Sequence, residues 1–61
     1  MLSNRELLNA QVELLLANHS NLLKAHELCE ADWDKSILEM IASNILQSIG
    51  NLQDIIKNIK D

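Results

Sequence analysis

Two apolar stripes, each repeating every seven positions, flank one polar interruption. This pattern limits the fold of the chain more than any other feature. In the first half, Leu8, Val12, Leu15, His19, Leu22, His26 and Cys29 follow one another at steps of four and three. In the second half, Leu38, Ile41, Ile45, Ser48, Leu52, Ile55 and Ile59 do the same. Residues spaced in this way lie on one side of an α-helix, and that side must be covered by another helix.

The ends of the helices can be read from capping chemistry. Ser3 followed by Glu6 is a capping-box pair ahead of an apolar run, so helix 1 is expected over about residues 4–30. Asn18, Ser20 and Asn21 are weak helix formers, but the stripe stays in phase across them. The segment Glu30-Ala31-Asp32-Trp33-Asp34-Lys35-Ser36 breaks the pattern and supplies side-chain acceptors for free backbone N–H groups. A turn is expected at about 31–35. A second capping-box pair, Ser36 and Glu39, opens helix 2 over about 36–60. Gly50 lies inside that helix, where the in-phase stripe favours a continuous helix with close backbone approach over a C-cap followed by a short third helix.

A pivot between Trp33 and Asp34 makes the stripes face each other. Leu8 then meets Ile59, Leu15 meets Leu52, Leu22 meets Ile45, and His19 meets Ser48 as the single polar match. The expected fold is all-α, an antiparallel two-helix hairpin forming one domain over residues 1–61. The competing arrangement is one unbroken helix in a parallel coiled coil. Composition supports helices over strands: there is one aromatic residue, Trp33, one glycine and no proline.

A lone hairpin has too much apolar surface for one seam. Leu16 and Leu23 add a second stripe to helix 1, Ala42, Ile49 and Ile56 add one to helix 2, and Leu7, Leu14 and Leu28 lie on the other flank. Charge is missing from the same region. Glu13 is the only charged residue from Leu7 to Leu23, and there is none from Met40 to Gln53. A solvated helix surface usually mixes Lys and Glu. The chain is therefore expected to self-associate into a four-helix bundle, as a homodimer, or to receive the helices of another protein. Its interface is assigned to Leu8, Val12, Leu15, Leu16, His19, Leu22, Leu23, Ile41, Ile45, Ile49, Leu52 and Ile56. The competing picture is a hairpin that keeps a plain Asn, Gln and Ser surface.

The turn end is acidic. Glu27, Glu30, Asp32, Asp34 and Glu39 outweigh Lys24 and Lys35 there, while Arg5, Lys57 and Lys60 gather at the open end. Trp33 either staples the turn onto Leu28 or Ile37 or stays exposed as an anchor for a basic partner.

Sites for chemistry are sparse. His26, Cys29 and Glu30 share a helical face and have the ligand types of zinc, but His19 lies about 10 Å away along the axis and no fourth ligand joins them. No metal or other cofactor is expected. Cys29 near a helix C-terminus among acids is poorly placed for activation as a nucleophile. Without a cleft, a glycine-rich loop or a triad, the chain reads as a non-enzyme. The tetrapeptide Ala25-His26-Glu27-Leu28 is similar to the helical histidine motif of phosphotransfer domains, but Cys29 stands where that motif has Lys and the following Gly is missing.

The longest unbroken apolar run, Leu14 to Ala17, is far short of the ~20 residues that span a bilayer. A single cysteine and no visible signal segment fit a cytoplasmic location, and the initial Met fits a complete small protein. The net charge of −4 disfavours nucleic acid. In length and layout such a bundle is similar to the small plasmid RNA-binding proteins of the Rop type, although no motif is shared. That similarity implies an RNA-binding alternative, with Arg5, Lys57 and Lys60 of two copies brought together. The principal expectation is a small interaction or regulatory module, acting as an inhibitor, adaptor or assembly partner.

Overall fold

The computed structural model describes residues 2–60; Met1 and Asp61, the ends of the expected domain, lie outside the described residues. Two helices, α1 (Asn4–Leu28) and α2 (Asp32–Asn58), pack against each other as a hairpin. The rod measures 46 × 19 × 10 Å between Cα atoms. The single-rod alternative is therefore not the fold.

Capping explains where α1 begins. Ser3 keeps an extended backbone, and its Oγ accepts the Glu6 N–H at 3.2 Å. The Glu6 carboxylate returns to the Ser3 hydroxyl at 3.3 Å. The Ser3 half of the capping box read from the sequence is thus present and satisfies the Glu6 backbone donor, while the Glu6 carboxylate accepts from the Ser3 hydroxyl rather than from its backbone N–H.

The turn is tighter than expected. Only residues 29–31 connect the helices: α1 stops two residues early and α2 starts at Asp32 rather than near Ser36. Cys29 ends α1 with its N–H shared between the Ala25 and His26 carbonyls, then turns extended, as does Ala31. No described residue has positive φ, which is why the reversal proceeds without a glycine. The Ser36–Glu39 capping box is not used. The N-cap of α2 is Ala31, which offers no side-chain acceptor; Asp32 and Asp34 in the first turn complement the helix dipole instead.

At the open end the Arg5 guanidinium donates to the Ile59 carbonyl at 2.7 Å. This clasp places a cation on the C-cap of α2, where the terminal carbonyls concentrate negative charge. At the turn end His26 Nε2 lies 2.9 Å from Glu39 Oε1. Together these contacts set the antiparallel register.

Gly50 lies within a continuous α2, as expected, but the anticipated close approach is absent. A Cβ built there meets nothing within 4 Å, and the backbone is ordinary helix. The glycine therefore contributes only backbone freedom in the unfolded chain. Gly50→Ala is expected to raise stability by about 1 kcal/mol, read as a higher urea midpoint at unchanged slope. A lower midpoint would show that something covers this position.

The core is thin. Val12, Ala42 and Ile49 are the only buried apolar residues among those described, and no described side chain is less than 2% exposed. A two-layer hairpin has one shared line of contact, so each seam residue keeps one side open.

Candidate interaction surface

The seam on α1 is the one read from the sequence. Leu8, Val12, Leu15, His19, Leu22, His26 and Cys29 are all buried or half-buried. On α2 the seam is Leu38, Ala42, Ile45, Ile49, Leu52, Ile56 and Ile59. The helix is rotated relative to the expected stripe. Ile41, Ser48 and Ile55 are exposed, and the supposed outer stripe of Ala42, Ile49 and Ile56 points inward. The reason is hydrophobic: the observed seam contains no polar residue, whereas the expected one carried Ser48. His19 therefore does not meet a buried Ser48, and His26 meets Glu39 rather than Ile41.

The assigned interface residues divide accordingly. Leu8, Val12, Leu15, His19, Leu22, Ile45, Ile49, Leu52 and Ile56 are committed to the seam within the chain. Leu16, Leu23 and Ile41 remain outside it.

Assigning heptad letters from this seam gives the hairpin two broad faces. With Val12 and Ala42 at position a and Leu8 and Leu38 at d, positions e and b of both helices line one face. Leu23 and Glu39, both at e, line a common groove of about 260 Å³ with Leu22, His26, Leu38 and Ala42. That face also carries Glu6, Glu13, Glu27, Asp32 and Lys57. Its apolar residues are Leu16, Leu23 and Leu46.

Positions g and c line the opposite face, where Asp34 is the only charged residue along both helices. It exposes Leu7, Leu14, Leu28, Ile37, Ile41 and Ile55, half of all the large apolar side chains that the described chain leaves exposed. Between them lie Gln11, Asn18, Asn21, Asn44, Ser48 and Asn51. Leu14 is 57% exposed and Ile55 52%. Sequence reading noticed the missing charge but not its confinement to one face. The signal that would have located it was the alternative α2 stripe with Ile49 in place of Ser48.

Trp33 does not staple the turn. It is 76% exposed, and Leu28 across the turn is 84% exposed. Cys29 is a half-buried free thiol. Among the described residues, no three His, Cys, Asp or Glu side chains converge as metal ligands, and His26 is engaged with Glu39. No helix of the described residues is long and apolar enough to cross a membrane. The basic residues do not form a track: Arg5 reaches into the hairpin clasp, Lys35 is half-buried at the turn, and Lys57 lies on the charged face. Compared with known protein families, curated proteins and solved structures, the chain finds no match.

Proposed function

We propose that this chain is a small protein–protein interaction module, an inhibitor, adaptor or assembly partner, that acts as a helical-bundle oligomer and performs no catalysis. The observation that carries this reading is the contrast between a core of Val12, Ala42 and Ile49 and a face with six exposed Leu and Ile side chains and Asp34 as its one charged residue along both helices. Exposed large apolar side chains gathered on a face with a single charge, on a chain too thin to bury them, are characteristic of protein contact. A cytoplasmic setting is consistent with the free thiol of Cys29.

Sedimentation velocity from about 1 to 100 μM, the range in which micromolar association is resolved, tests the reading. The expected result is a multiple of the chain mass, or an unstable chain that becomes ordered only with a helical partner. A stable, non-associating hairpin across that range would refute it. Titration with structured RNA near physiological salt is expected to give no saturable binding, because the five cations are outnumbered by nine acids and Arg5 is engaged with the Ile59 carbonyl.

A further inference from the structure

We infer that the partner on the charge-poor face is a second copy of this chain, docked with its turn at the opposite end of the bundle. The inference deepens the interaction reading and rests on it. Three observations carry it.

The first is size. The Cα outline of 46 Å by 19 Å bounds a footprint of about 870 Å², so a partner covering the whole face reaches the ~800 Å² per partner of a stable specific interface. The second is the pattern along that face. The Arg5–Ile59 and His26–Glu39 contacts fix which residues of the two helices are level. Apolar side chains then occupy both ends, Leu7 and Ile55 near the open end and Leu28, Ile37 and Ile41 near the turn, with Ser48 midway. A twofold axis lying in the contact plane, across the rod at the level of Ser48, apposes the two faces and carries each end onto the other. Ile55 of one copy comes level with Ile41 of the other, and Leu7 comes level with the Leu28 end. The face is therefore complementary to itself, as a twofold contact requires.

The third is charge. Lys24 to Glu39, the turn end, sums to −3. Side-by-side turns would set two such ends, and two Asp34 residues on the contact face, within the ~8–10 Å over which charges interact in physiological salt. Opposed turns separate them by the length of the rod and bring each Asp34 to the open end of the other copy, the end that carries Arg5, Lys57 and Lys60.

Sedimentation of paired variants tests which face is used. Ser48→Glu places two carboxylates together on the twofold axis and is expected to shift the protein at least tenfold toward monomer. Ser43→Glu, an exposed position on the charged face, is expected to leave association unchanged. Orientation is read from nitroxides on Ala31→Cys in a Cys29→Ser chain. Opposed turns give a spin–spin distance near the 46 Å rod length, and adjacent turns give about 20 Å or less from helix packing distances. The short distance, or association sensitive to Ser43→Glu and indifferent to Ser48→Glu, would overturn this inference while leaving self-association intact. A chain that stays monomeric and orders only with a different helical protein would overturn the second-copy assignment but support the interaction reading. A stable lone hairpin would overturn both.

Discussion

Ile49→Asp is expected to lower the stability of the chain by about 4 kcal/mol or more at 25 °C and neutral pH. Ile49 is 6% exposed, the lowest value among the buried residues, and its neighbours along the seam are Ile45, Leu52 and Ile56. A carboxylate there either stays ionised without a partner or binds a proton against its intrinsic preference, and both cost free energy. Adding the lost apolar burial, the penalty is about 4 kcal/mol or more. A chain of 61 residues has roughly 3–9 kcal/mol of total stability. The change therefore removes close to half of the stability at the upper end of that range and all of it at the lower end. Gln47→Asp, two residues away on the exposed outer side of α2, is expected to alter stability by less than about 0.5 kcal/mol. Circular dichroism with urea titration measures both. An unchanged urea midpoint in the Ile49→Asp chain would mean that α2 turns a different side toward α1.

The second large effect is the response of thermal stability to dilution. When two chains fold and associate together, a hundredfold dilution changes the free energy of the assembly by about 2.7 kcal/mol. With an unfolding entropy near 2.1 cal/mol/K per residue over two 61-residue chains, the midpoint is expected to fall by about 10 °C. An autonomous hairpin melts at the same temperature at every concentration. Scans at about 2 and 200 μM distinguish the cases, and coincident curves would count against assembly-linked folding.

Much of this fold could be read in the residue order, for identifiable reasons. The α1 seam was legible because Leu8, Leu15 and Leu22 recur without a polar break and with Val12 between them, whereas Asn21 interrupts the row of Leu7, Leu14 and Leu28, and Asn9 and Glu30 bound the short row of Leu16 and Leu23. Ser3 and Glu6 announced the first cap through local spacing alone, which lets the Ser3 Oγ accept the Glu6 N–H. In α2 the isoleucines are too numerous for periodicity alone. Ile41 and Ile55 satisfy one heptad, Ile49 and Ile56 another, and both share Leu38, Ile45, Leu52 and Ile59. The choice depends on packing against α1, which selected the stripe without Ser48. The beginning of α2 was misplaced for a related reason. Ser36 and Glu39 imitate a cap, but the helix begins at Asp32, where Asp32 and Asp34 favour the first turn through the helix dipole, and Ala31 is left at the N-cap without a side-chain hydrogen bond. The charge-poor face emerged only after the rotation of α2 was known, because its residues are scattered through the sequence until both helices have a common register.

The Arg5–Ile59 clasp has a consequence for the order of assembly. It joins residues 54 positions apart, closing a loop almost as long as the chain, whereas the contacts beside Cys29 close a loop of a few residues. The entropy lost on closure grows with loop length, but once the helices meet at the turn each further pair needs little additional closure. Pairing therefore starts at the bend and advances toward the termini like a zipper, with the arginine contact among the last to form. Opening runs in reverse, so the terminal turns fray long before the bend gives way.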